Sequence, residues 1–252
     1  IMQQLDRAID SDGALIEGVG DYKVYWYFDT ESEGRPLLFV HSINAAPSAI
    51  ELKPLFQHFR AFRPVFAPDL PGFGRSTRSV GIMTASDFAE NIASIIDEMT
   101  SSGPPDVIAL SLGCEFVTRA VVECGAEVRS LTFISPTGFS RRQPPAPQAQ
   151  KRLKRLFDFA GFGRGAFMLL RLERSIRYFY RMNFSGSVPN ELVTYALKTT
   201  RRPGAHELPL QFLSMGLFTA NAAGSLYSKL DVPVLVLFDE DPNVSFELFE
   251  QF

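Results

Sequence analysis

Apolar positions along the chain alternate between two spacings. Residues 14–18 and 23–28 are short aromatic or β-branched runs separated by Gly18, Gly20 and Asp21, a pattern that predicts an opening hairpin. Residues 36–40 (PLLFV) form a continuous apolar run of strand length, as suits a strand covered on both faces. Leu52, Leu55, Phe56 and Phe59 then recur at helical spacing, and a strand is predicted at 64–68. Thr84 and Asp87 read as a capping box that opens a helix with the stripe Phe88, Ile92, Ile95, Ile96 and Met99. A strand at 106–110, a helix over about 112–124 and strands at 131–135 and 232–238 continue the series. Alternating strands and helices predict an α/β fold around a mostly parallel, doubly wound sheet. Between 141 and 210 the spacing is helical throughout, so the expected organisation is a core of 1–140 and 211–252 with a helical lid inserted at 141–210. In the closing segment, Phe246, Leu248, Phe249 and Phe252 again have helical spacing and predict a helix.

With 252 residues and 46% apolar content, the chain can bury a sizeable core. No apolar run approaches the roughly 18 residues of a membrane span, and no basic region followed by an apolar stretch opens the chain, so neither a span nor a secretory signal is expected. Cys114 and Cys124 fall on one predicted helix, about 15 Å apart at its usual rise, too far for a disulfide. Free thiols point to a reducing, cytoplasmic setting. Charge then divides the chain. Between Arg141 and Pro203 there are fourteen Lys or Arg against three acidic residues, a net +11, which leaves −14 on the remainder of a chain whose total is −3. Such a basic lid suits an anionic substrate or a membrane surface, or is simply a solvated face; no nucleic-acid partner is expected. Residues 143–150, rich in Pro, Gln and Ala, read as a mobile linker.

Candidate chemistry concentrates at Ala109-Leu110-Ser111-Leu112-Gly113, where the strand at 106–110 must turn into a helix. Small residues at 109 and 113 suit a tight strand-to-helix turn, which lifts the Ser111 hydroxyl above the sheet. The turn also puts the Leu112 N–H at a helix N-terminus, where an oxyanion can be stabilised. Gly161, Gly163 and Gly165 have the wrong spacing for a phosphate loop and read as lid hinges. No Cys or His pair has zinc spacing, and neither a metal nor another cofactor is expected. Cys114 reads as a small core residue.

In order along the chain, LLFVHS at 37–42, DLPGFGRS at 69–76, the Ser111 elbow and VPVLVLFDEDP at 232–242 resemble the α/β-hydrolase superfamily, specifically its lid-bearing members with a serine nucleophile. The resemblance covers about 14–140 and 225–245 and implies the α/β-hydrolase fold and acyl transfer by a Ser-acid-His triad. It departs from the family at two places: Ala109 stands for the first Gly of the elbow, and Ser42 for the Gly that follows His41. By position, the resemblance implies Ile43 N–H as second oxyanion donor, His41 and Ser42 as structural residues near the site, and Asp69 as the residue fixing the loop after the fourth strand. The acid is Asp241 or Asp239, with Asp241 preferred for its following Pro. Family order places the base after the acid, yet the histidines are His41, His58 and His206. The expectation is therefore a chain that stops short of its base and is inactive as given. The implied substrate is a small acyl compound, foremost a carboxylic ester, with thioester or carbon–carbon hydrolysis open. A serine at the elbow speaks against dehalogenase or epoxide chemistry, which uses Asp there. The rival reading is a non-catalytic ligand-binding or interaction protein on the same fold.

Overall fold

The β-branched and aromatic runs become seven strands in one sheet: β1 (Asp12–Glu17), β2 (Lys23–Asp29), β3 (Leu37–Val40), β4 (Val65–Asp69), β5 (Asp106–Leu110), β6 (Ser130–Ile134) and β7 (Val234–Leu237). The structure is a computed structural model and describes residues 5–20, 22–78, 80–99, 103–159, 162–239, 241 and 243–251; statements of absence below refer to these. Strand order is β1-β2-β4-β3-β5-β6-β7, with β1–β2 and β2–β4 antiparallel and the other pairs parallel.

Helices α1 (Lys53–Phe59), α2 (Ala85–Met99) and α3 (Gly113–Cys124) connect the inner strands. The capping box at α2 forms in both directions: Thr84 N–H donates to Asp87 Oδ2 at 2.6 Å, and Asp87 N–H to Thr84 Oγ1 at 3.2 Å. The whole predicted stripe of α2 is buried. It packs with Phe116 and Val117 of α3 on the sheet face that carries Val24, Leu38, Val40, Val107 and Phe133. The opposite face carries Tyr27, Leu37, Phe39, Val65 and Ile108 and is covered by Ile50 and by Phe56 of α1. Burial of β3 on both faces follows directly from its unbroken apolar run. Cover on the second face runs out at β7. There Val234 and Val236 join the first cluster, whereas Leu235 and Leu237 remain 55% and 47% exposed.

Between β6 and β7 lie α4 (Pro147–Asp158), α5 (Phe162–Leu170), α6 (Glu173–Arg181), α7 (Asn190–Thr199), α8 (Glu207–Leu213) and the short α9 (Ala222–Ser225). Helix α8 straddles the boundary expected at 210. Three sequence-based expectations are corrected. The linker read at 143–150 is helical from Pro147, because a proline at the first helical position has the required φ and lacks only an N–H that would go unpaired. Gly163 is no hinge: it is buried inside α5, where a Cβ would lie 2.6 Å from Phe157 O, and its bareness lets α4 and α5 approach. Gly165 also lies within α5, while Gly161 lies outside the described residues. Finally, the closing segment holds only a 3₁₀ turn, Phe249–Gln251, in place of the predicted helix. Leu248 N–H bonds Phe139 O at 2.9 Å, and Phe246 and Phe249 pack on Phe139 and Phe238, so tertiary aromatic contacts override the helical spacing. Phe252 lies outside the described residues.

Candidate active site

The turn from β5 into α3 is completed within two residues. Ser111 adopts a left-handed conformation, φ +54°, and its N–H donates to Ile134 O on β6 at 2.9 Å. A side chain in this region costs about 1–2 kcal/mol, a strain sustained only where the surroundings impose it. Ala109 and Leu112 are buried and Ser111 is partly exposed. Gly113 lets the start of α3 sit against the end of β3, since a Cβ there would lie 2.6 Å from His41 O. This contact brings the Leu112 peptide beside the loop that carries Ile43. Neither the Leu112 nor the Ile43 N–H has a hydrogen-bond partner among the described residues.

His41 ties that loop to the end of β4. Its Nε2 accepts from Leu70 N–H at 2.9 Å, which leaves Nδ1 to donate to Ser42 O at 2.6 Å. Complete burial pushes its pKa down to about 4, so the ring is neutral with both nitrogens engaged. The Ser42 N–H and Oγ–H both donate to Glu51 Oε2, at 3.0 and 2.7 Å. Asn44 Nδ2 donates to Glu51 Oε1 at 2.6 Å and to Ser42 Oγ at 2.8 Å. Burial raises the Glu51 pKa while these donors oppose the shift. Above this network lies Tyr180 of α6; its hydroxyl is buried without a partner among the described residues, and burial together with the Glu51 charge drives its pKa upward. Asp69, fully buried, accepts from Ala49 N–H and Arg75 N–H at 2.9 Å each, and so organises the loop after β4. Gly74 is needed there, because a Cβ would run into the Asp69 carboxyl.

Parallel register lines up Leu110, Ile134 and Leu237 at the ends of β5, β6 and β7. At the usual strand spacing, the loop after β7 therefore starts about 10 Å from the Ser111 turn, at the same edge of the sheet. Asp239 is exposed; Asp241 is partly buried, and its Oδ1 accepts from Asn243 N–H at 2.7 Å. Asn243 in turn bonds Asn183, just past α6, at 2.9 Å. Asp241 lines a cavity of about 570 Å³ with Glu115, Thr137, Arg142, Phe218 and Asn243, a cavity that Ser111 does not line. Glu115, one turn beyond Ser111, is buried, and its carboxylate accepts from Thr137 Oγ1 at 2.5 Å and Thr219 N–H at 2.8 Å. Burial raises its pKa. The sequence reading did not single out Glu51 or Glu115. Only the Ser in place of Gly at 42 hinted that something new holds that loop.

The remaining histidines are engaged elsewhere. His58 lies in α1 with its ring against Phe59 and Phe62, 5.0 and 5.4 Å between centroids. His206, just before α8, accepts from Arg164 Nε at 3.2 Å, and burial, then the Arg164 charge, lowers its pKa. Cys114 is buried with its thiol on Ala109 O at 3.3 Å.

A mostly parallel sheet with helices on both faces, a strained serine at the turn after β5 and an acidic loop after β7 define an α/β-hydrolase architecture. The chain belongs to the alpha/beta hydrolase family, whose profile matches residues 37–252. No curated protein matches it by sequence. Among solved structures it is similar to an α/β-hydrolase fold protein from Burkholderia ambifaria, at 17% identity and TM-score 0.68 over 95% of this chain and 86% of that one. It is similar also to a thermophilic esterase from Thermogutta terrifontis, at 17% identity and TM-score 0.64 over 95% and 85% of the two chains. A meta-cleavage product hydrolase from Pseudomonas fluorescens IP01 aligns at 15% identity and TM-score 0.67, over 94% and 85%.

Proposed function

We propose that the protein is a serine hydrolase that cleaves a carboxylic ester or related acyl compound. The observation that carries this reading is the strained Ser111 at the turn into α3, followed by the Leu112 peptide N–H, which, like the N–H of Ile43 in the loop after β3, has no partner among the described residues. In the proposed reaction the Ser111 hydroxyl attacks the carbonyl carbon and its proton passes to a histidine. The two N–H groups hold the developing oxyanion, and the leaving group departs with the proton from that histidine. Water then attacks the acyl-serine by the reverse proton route. Asp241 orients the histidine. That histidine is proposed to lie outside these 252 residues, because His41, His58 and His206 are each committed to other contacts. Leu235 and Leu237 of β7, exposed beside the Asp241 loop, support a further element there as its carrier. The similarity to an esterase and to a meta-cleavage product hydrolase supports both ester and carbon–carbon bond cleavage as chemistries for this scaffold.

The same engagement of all three histidines favours a second reading, a ligand-binding protein without catalysis. A fluorophosphonate probe applied to the product of the complete gene separates them. Labelling at Ser111 that disappears in Ser111→Ala, together with hydrolysis of an ester panel, supports the hydrolase. A complete protein that neither labels nor turns over esters leaves the binding reading.

A further inference from the structure

The strongest feature outside the candidate site is the outward surface of α4, α5 and α6. Between residues 147 and 184, ten large apolar side chains are exposed, among them Phe159 at 73%, Leu169 at 67% and Tyr178 at 63%, with Leu156, Leu172 and Phe179. The same stretch has nine basic and two acidic residues. Both acids are neutralised one helical turn away, Asp158 by Lys154 and Glu173 by Arg177. Seven cations, including Lys151, Arg155, Arg174 and Arg181, have no carboxylate partner among the described residues.

Apolar exposure of this density ordinarily marks an interaction surface. The charge selects the partner. A two-fold pairing of this face with a second copy of itself would set two unbalanced positive surfaces together. A purely electrostatic site for a soluble polyanion has no use for Phe159, Leu169 and Tyr178. Cations interleaved with aromatic and aliphatic side chains on short helices match a surface that is anionic outside and apolar just beneath: headgroups above acyl chains. No helix among the described residues is long and apolar enough to cross a membrane, so the contact would be peripheral.

We propose that α4, α5 and α6 form a docking face for a bilayer that contains anionic phospholipid. The placement is informative, because α6 reaches the candidate site twice: Tyr180 packs against the cluster that holds Ile50 and Leu52, on either side of Glu51, and Asn183, just past its end, bonds the Asp241 loop through Asn243. Docking would set that site directly behind the membrane contact. The docking itself does not depend on the hydrolase reading, and its test needs no turnover.

The test is sedimentation of the product of the complete gene with large vesicles of phosphatidylcholine alone or with about 30 mol% phosphatidylglycerol. Binding is expected only to the anionic vesicles, with affinity falling at least about tenfold between about 50 and 500 mM NaCl. Arg174→Glu with Arg181→Glu should abolish it, and Phe159→Ser with Leu169→Ser should weaken it at least about tenfold, both with unchanged melting temperature since all four side chains are exposed. Leu169→Trp supplies a reporter whose emission should shift to the blue on binding. No binding to anionic vesicles, or equal binding to both vesicle types, overturns the proposal. So does a Leu169→Trp emission that does not move, or competition by soluble heparin that is as strong on a charge basis as by vesicles. A self-association that the same variants abolish would assign the face to a second copy instead.

Discussion

Replacing Glu51 tests whether the loop before α1 is held as the hydrogen bonds indicate. Glu51→Ala leaves the Ser42 N–H, the Ser42 hydroxyl and one Asn44 N–H without their acceptor. A buried donor left unpaired costs about 1–3 kcal/mol. The Glu51 carboxylate is buried but the residue as a whole keeps some exposure, so water reaches part of the vacated space and the low end applies: about 3 kcal/mol in all. For a chain of this size that is a fall of about 6–12 °C in Tm. Glu51→Gln is the finer probe. Its carbonyl can keep both Ser42 donors, but its NH₂ then faces Asn44 Nδ2, a donor against a donor, for a loss of about 1–2 kcal/mol. The reversed pair, Asn44→Asp with Glu51→Gln, restores one donor and one acceptor and should recover at least about half of that loss. Thermal and urea unfolding of the parent and of four variants, Asn44→Asp alone included, provide the measurement. In the proposed reaction the Ile43 N–H of the same loop holds the oxyanion, so Glu51→Ala should also lower kcat for esters, measured on the product of the complete gene, about 10²-fold with little change in KM. A Glu51→Gln protein as stable as the parent, or a reversed pair no better than the sum of its single changes, would refute the assigned network.

Ser111→Gly should relieve the left-handed strain, raising Tm by about 2–4 °C while abolishing probe labelling; a lower Tm would show that Ser111 is not strained as its φ indicates. Gly113→Ala should lose at least about 2 kcal/mol, because its Cβ meets the His41 carbonyl and backbone must move, and labelling of Ser111 should slow in parallel; stability within about 0.5 kcal/mol of the parent would rule out that close approach. Burial raises the Glu115 pKa above its ordinary value of 4.5, so the folded protein binds that proton more tightly than the unfolded chain, and its contribution to stability is lost as pH rises through the raised value. Glu115→Gln can still pair with Thr137 and Thr219, so its stability relative to the parent should improve from about pH 4.5 upward and level off once the pH passes the raised value; a difference independent of pH would contradict the assignment.

Local signals in the sequence located much of the core and the turn at the candidate site. β3 is legible because it is apolar at every position, α2 because its cap and stripe agree, and the turn at Ser111 because small residues flank it where a strand must become a helix. Contacts from distant parts of the chain were not legible. Glu115 finds its second donor at Thr219, 104 residues away, and Glu51 meets Ser42 only because the 3₁₀ turn Ala49–Leu52 folds back. Phe246 and Phe249 have the spacing of a helix and the surroundings of an aromatic cluster, and periodicity cannot distinguish the two. Gly163 shows the same limit, since nothing beside it in sequence reveals that Phe157 O will press against it.

The pairing of β6 with β7 also dictates an order of assembly. Leu131 and Val234 are neighbours in the sheet, and the chain between these strands is the entire helical insertion. Closing a loop of roughly 100 residues costs about 2 kcal/mol more in chain entropy than closing one of ten. That penalty falls on a four-residue strand with one face uncovered, which offers little in return until its neighbours are in place. Strands β1 to β6 are joined by much shorter connections and should consolidate first. Refolding should therefore pass through a six-stranded sheet with β6 as its open edge, and β7 should join only once α4 to α8 have collapsed enough to shorten the span. Shortening the insertion, with β7 and its loop left intact, would speed that final step while leaving the earlier ones unchanged.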